Sequence, residues 1–183
     1  MTTTADLREL TVTALQSKTG AGTNIYSPRT WSTWSGDYPV VLVRAPEEEG
    51  QSFGRNGPPA FTVTSTIHVS ARIHVPGTTS DQAAAAAESI LEEYREQIKA
   101  AVINYPALMS QLQQYPFFRS QISISAEGER PIGEVIVQIG MEFVQGPEDF
   151  YPVPASPLEE VSARIQMPDG TTVPGADIEI PQT

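Results

Sequence analysis

FTVTSTIHVSARIHVPGTTSDQAAAAAESILEEYREQIKAAVIN, residues 61–104, holds the two periodicities that decide the fold. In its first part Phe61, Val63, Ile67, Val69, Ala71, Ile73 and Val75 take odd positions, and Thr62, Thr64, Thr66, His68, Ser70, Arg72 and His74 take even ones. A period of two marks a strand over 61–75 with one apolar face. At about 3.3 Å per residue it reaches roughly 50 Å, so the reading expects it to protrude as one side of a hairpin or arm. In the second part the period changes. Thr79 is suited to an N-cap, with Gln82 three residues on to close a capping box. Ala83 to Ala87 are the best helix formers. Ile90, Leu91, Tyr94, Ile98, Ala101 and Val102 then recur at spacings of three and four, predicting an amphipathic helix from 79 to 104 that covers a sheet. Burying its large apolar side chains is worth about 1.5–3 kcal/mol each before entropy is charged. Pro106 stops the helix. Glu88, Glu92 and Glu96, eased by Arg95 and Lys99, form its solvated face.

Upstream, residues 5–17 read as a first helix, capped by Thr3 or Thr4, with Asp6 in its first turn and Leu7, Leu10, Val12, Ala14 and Leu15 as its apolar set. Gly20 and Gly22 end it. A short strand is expected at 24–27. The stretch after Pro28 carries Trp31 and Trp34, which either cap a core edge or anchor an interface. Residues 38–44 read as a buried strand, since Pro-Val-Val-Leu-Val is continuously apolar. Glu47, Glu48 and Glu49 repel one another and want water, so 47–60, with Phe53, Arg55 and Asn56, is expected to be a long exposed loop.

Downstream, residues 106–114 predict a short helical turn, and strands are expected at 119–126 and 134–145, paired as an antiparallel hairpin. Composition shifts at Gly146: residues 146–183 hold seven of the sixteen prolines and seven acids against one base. Within them 161–167 and 171–173 flank a Pro168-Asp169-Gly170 turn. The expected fold is α+β: a mostly antiparallel, twisted sheet of four to five strands, covered by the long central helix and an N-terminal helix. Residues 1–145 form that domain, and 146–183 are an acidic, proline-rich extension with a small hairpin, able to wrap a neighbour.

The 183 residues carry 22 acids and 11 bases, a net charge of −11. The cations are scattered, which argues against specific nucleic-acid binding. A conduit that DNA slides through, by contrast, gains from not gripping it. No cysteine is present, so disulfides, thiol nucleophiles and thiolate metal sites are excluded. The sequence shows no secretory signal, and no apolar run approaches the roughly 18–20 residues of a membrane span. A soluble protein is expected.

No phosphate loop, dinucleotide fingerprint or nucleophile elbow occurs. His68 and His74 share a strand face but stand about 20 Å apart, too far to chelate one ion. The carboxylates cluster in a loop and on a helix exterior, where nothing tunes them for acid–base work. The reading is therefore of a non-enzyme with neither cofactor nor metal.

The order of elements resembles the tail terminator (minor tail protein) family of long-tailed bacteriophages. The resemblance is carried by Pro39-Val40-Val41-Leu42-Val43, similar to the family's buried strand, and by Phe61 to Val75, similar to its long strand. Ser80 to Val102 resembles its major helix and Gly133 to Gln145 its closing strand, so the match spans about residues 5–146. The acidic extension departs from the compact family core. The resemblance implies a virion protein at the head-proximal end of the tail, assembled in the host cytoplasm. It implies a hexameric ring that caps the tail tube, stops its polymerisation and offers the joining surface for the head and neck. Its partners would be further copies of itself, the tube protein, the neck connector and, in a contractile tail, the sheath, with DNA passing through the lumen and no membrane contact. Two alternatives remain: a neck or head-completion subunit, and a small monomeric ligand-binding or hydrolase domain. On the leading reading Arg55, Arg72 and Arg119 pair with acids across subunits, Glu47, Glu48 and Glu49 face the lumen or a tube subunit, and Phe53 belongs to the same interface.

Overall fold

A computed structural model describes residues 2–31, 36–54, 57–74, 81–125, 132–151, 160–164, 167 and 175–179. The chain divides into two compact units, residues 1–150 and 151–183.

The first unit is α+β. Its elements in order are α1 (Thr4–Leu15), β1 (Ile25–Tyr26), β2 (Val40–Ser52), β3 (Phe61–His74), α2 (Asp81–Ile103), α3 (Pro106–Met109), β4 (Phe118–Ser125), β5 (Ile132–Gln145) and α4 (Pro147–Phe150). The strands form one five-stranded sheet in the order β1-β2-β3-β5-β4. Pairing is antiparallel except for the short parallel contact of Ile25 and Tyr26 with Val41 and Leu42. β3 and β4 therefore run in the same direction, with α2 crossing between them and β5 inserted in the gap, a split βαβ arrangement.

β3 does not protrude. It is the central strand, paired along its whole length with β5 and over most of it with β2. Val63, Ile67, Val69, Ala71 and Ile73 turn to the helix layer and meet Val135, Val137, Ile139, Met141 and Phe143 of β5 in the core. Two long strands on its flanks satisfy the backbone groups that a free arm would leave open.

α2 buries Ala87, Leu91, Tyr94, Ile98 and Val102, whereas Ile90, expected on that stripe, is 43 % exposed. At 3.6 residues per turn Ile90 points about 80° from the stripe's centre, which Ala87 occupies instead. Gly133 belongs to the same contact, since a Cβ there would stand 2.9 Å from Leu91. Thr79 lies outside the described residues.

α1 is capped by Thr3. Its hydroxyl accepts from the Asp6 N–H at 3.2 Å, and the Asp6 carboxylate accepts from the Thr3 N–H at 3.1 Å, a reciprocal box. Thr11 is fully buried on its inner face because its hydroxyl donates to the Leu7 carbonyl at 2.7 Å. Leu10 and Val12 are only half-buried. The helix ends at Leu15, two residues short of expectation, and Ser17 takes a positive φ of 57°.

In the second unit β6 (Glu160–Arg164) pairs antiparallel with β7 (Gly175–Glu179). Its second strand thus lies later than the expected 171–173, and that segment and the Pro168-Asp169-Gly170 turn lie outside the described residues.

Candidate interface

β2 changes character halfway along. Val40, Val41, Leu42 and Val43 are all but completely buried, and every described residue from Arg44 to Ser52 except the half-buried Ala45 is exposed. The change falls at a β-bulge. The register steps from Arg44↔His68 to Glu47↔Thr66, so Ala45 and Pro46 together oppose Ile67. A bulge tolerates proline because it asks for no ladder N–H there.

Beyond it Glu47, Glu48 and Glu49 pair with Thr66, Ser65 and Thr64. The first six residues of the expected loop, Glu47 to Ser52, thus belong to a strand, while the described residues from Phe53 to Ala60 stay outside it. Phe53 closes the strand's end by donating its N–H to the Ala60 carbonyl at 3.0 Å. The strand alternation removes the conflict that favoured a loop, since three adjacent carboxylates are shared between two faces. Glu48 turns to the helix side, where the Thr4 hydroxyl donates to its carboxylate. Glu47 and Glu49 share the opposite, open face with Thr64 and Thr66. Phe53 is 64 % exposed. Arg55 lies outside the described residues.

The open face also gathers two of the three expected arginines. Arg72 on β3 lies opposite Glu134 of β5, and Arg119 on β4 lies opposite Gln138 of the same strand. They differ in what they touch. The Arg72 guanidinium meets the Glu134 carboxylate at 3.2 Å and stacks 4.0 Å from the Trp31 ring, so its charge is matched within the subunit. Arg119 lies 4.8 Å from the Phe117 ring and, among the described residues, has no carboxylate within ion-pair distance. Phe117 packs over Gly140, where a Cβ would come within 2.7 Å of the ring. A glycine inside a strand pattern was the visible sign of that close approach. The Trp31–Arg72–Glu134 cluster had no local sign. Trp34 lies outside the described residues.

His68 sits on the open face at the bulge, opposite Arg44. Burial lowers its pKa below 6.5, the nearby Glu47 charge opposes that shift, and Arg44 adds to it. His74 is six residues further along the same strand face, and among the described residues no three His, Cys, Asp or Glu side chains are grouped to hold a metal ion.

A concavity of about 570 Å³ runs between α1 and α2 over Ala14, Ala100, Ala101, Tyr105 and Pro106, and among the described residues Lys18 is the one charged group that lines it. Among the described residues no carboxylate joins Lys18 in its lining. Two smaller hollows, about 240 and 210 Å³, lie on the open face beside Arg72–Glu134 and beside Arg119. Among the described residues no helix is long and apolar enough to cross a membrane.

The first unit is thus an α+β domain with helices on one side of its sheet and, on the other, a face that is polar and charge-bearing outside the buried Val40 and Leu42. No protein-family model matches the chain, and no curated protein sequence matches it.

Proposed function

We propose that this protein is a structural subunit of a long-tailed bacteriophage: a tail terminator that forms a ring on the finished tail tube, stops its polymerisation and presents the surface to which the head and neck join. The observation that carries the reading is the distal half of β2. It places three carboxylates and Phe53 on a strand edge, while the domain's core is complete without them. Exposed surface of that kind serves association. The acidic balance of the chain supports the same reading, because a lumen lined with like charge lets DNA slide. The order of elements supports it through the resemblance, and the partners follow from the same source: copies of itself in a six-fold ring, the tube protein, the neck connector and, if the tail contracts, the sheath. Its place would be the head-proximal end of the virion tail.

The test is the solution mass by light scattering, with and without the candidate tube protein, together with deletion of the gene. A six-fold species and tails of uncontrolled length support the reading. Normal tails joined to filled heads refute it. Loss of stable filled heads with free tails of normal length points to a neck subunit instead. The α1–α2 groove favours one other reading, a monomeric ligand-binding domain, and a mass that stays at 19.8 kDa in both conditions supports it.

A further inference from the structure

The two edges of the sheet differ in a way that names their partner. On one side β1 covers only Val41 and Leu42, and among the described residues no strand pairs with the outer edge of β2 beyond them. On the other side β4 is outermost, and its residues alternate between exposed and half-buried from Gln121 on. Open backbone edges are templates for another strand. The β2 edge is guarded against a second copy of itself by Pro46, the bulge and three carboxylates. The β4 edge, Phe118-Arg119-Ser120-Gln121-Ile122-Ser123-Ile124-Ser125, has no proline, no acid and one cation.

From these edges we infer that β4 of one copy adds to the distal half of β2 of the next, joining the sheets head to tail. Three independent features agree. The first is direction. β2 and β5 run one way and β3 and β4 the other, so β4 laid beside a neighbour's β2 in a continued sheet is antiparallel to it.

The second is hydrogen-bond phase. The Gly140 N–H donates to Phe117 O, so Phe117, Arg119 and Gln121 bond inward to β5, while Phe118, Ser120, Ile122 and Ile124 direct their backbone groups outward. On β2 the Phe53 N–H donates to Ala60 O, which leaves Glu48, Gly50 and Ser52 outward. Both outward sets carry their side chains on the helix side of the sheet. Pairing outward residues with outward residues therefore keeps the two helix layers on one side, which opposite phases would forbid.

The third is charge. In the register that sets Glu48 opposite Ser120, Glu49 faces Arg119 on the open side. Gly50 then faces Phe118, an aromatic that is 54 % exposed in the single subunit. Such a contact is heterologous, and copies joined by it form a ring if the rotation closes. The inference deepens the ring proposal and rests on it only for closure.

The chain has no cysteine, so a pair of engineered ones reports the contact cleanly. Glu47→Cys and Gln121→Cys oppose each other in this register as a non-hydrogen-bonded pair, about 4.5 Å apart at Cα and within disulfide reach. Each variant alone, and an equal mixture of the two, is oxidised at high protein concentration. A covalent dimer in the mixture only is the expected result. A dimer of Gln121→Cys alone means that β4 meets β4 and overturns the proposal. A second measurement does not depend on disulfide geometry. Arg119→Glu and Glu49→Arg should each weaken self-association roughly fivefold, with folding checked by circular dichroism, and Glu49→Arg/Arg119→Glu should restore it. Failure of both the cross-link and the rescue overturns the proposal. A closed ring indifferent to all these changes removes this contact and leaves the ring reading standing. Cross-linked open chains that never close keep the contact and remove the tail-terminator reading.

Discussion

The two halves of β2 belong to one continuous strand and obey different physics. Val40 to Val43 are enclosed on both faces, with Val41 and Val43 in the main core. Glu47 to Ser52 pair with β3 just as regularly, yet both of their faces meet water. Backbone pairing is thus a poor guide to what a residue contributes to stability. Side-chain burial decides it in the first half, and the second half is held by its ladder and left available for contact.

The largest effect should come from the enclosed half. Leu42→Ala is expected to destabilise the fold by about 2–5 kcal/mol, read as a fall in the denaturant midpoint. A loss below 1 kcal/mol would erase the contrast. Next comes Gly140→Ala, because the added methyl meets the Phe117 ring that closes the open face near Arg119. About 1–3 kcal/mol is expected, and an unchanged melting curve would mean that the ring swings aside freely. Thr3→Ala removes the cap of the helix that ties to Glu48, at a cost of about 1 kcal/mol.

His68 tests the boundary between the halves. Its folded pKa is depressed by burial, so below 6.5 the unfolded state binds more protons than the folded one. Stability should therefore rise as pH climbs through that depressed value towards 6.5, and fall on acidification. His68→Gln should flatten that slope in melts across the same window; an identical slope would assign it elsewhere. The smallest effect on stability belongs to the exposed half. Glu47→Gln/Glu49→Gln should stay within about ±0.5 kcal/mol while changing self-association. A variant that loses stability but associates normally would reverse the assignment of the two halves.

Much of the architecture was legible. The period-two run at Phe61, the 3.6-residue stripe from Leu91 to Val102 and the antiparallel pair of β4 with β5 all follow from side-chain spacing. The sequence misled where a local rule met an unseen neighbour. Three adjacent glutamates argue for a loop on their own, but β3 offered a row of Thr and Ser for them to pair with. The offset of about 80° that exposes Ile90 was invisible because five consecutive alanines make the start of the stripe ambiguous. For the candidate interface, residue types at Arg72 and Arg119 were readable and their circumstances were not. Only the fold brings Trp31 and Glu134 to Arg72, which satisfies its charge internally. A charge reversal there would set two carboxylates against each other inside one subunit, and so disturbs folding as well as assembly.

The insertion of β5 between β3 and β4 also bears on how the molecule is made. β5 contributes Val135, Val137, Ile139, Met141 and Phe143 to the core, yet it is the last strand of the sheet to be synthesised. At about 5–20 residues per second, β3, α2 and β4 emerge seconds before the strand that joins them. During that interval both inner edges stand open. Because the β3–β5 pairing spans residues 61 to 145, the folding of this unit is expected to be slow for its size. A nascent chain stalled before residue 132 would present two sticky edges in place of one finished sheet.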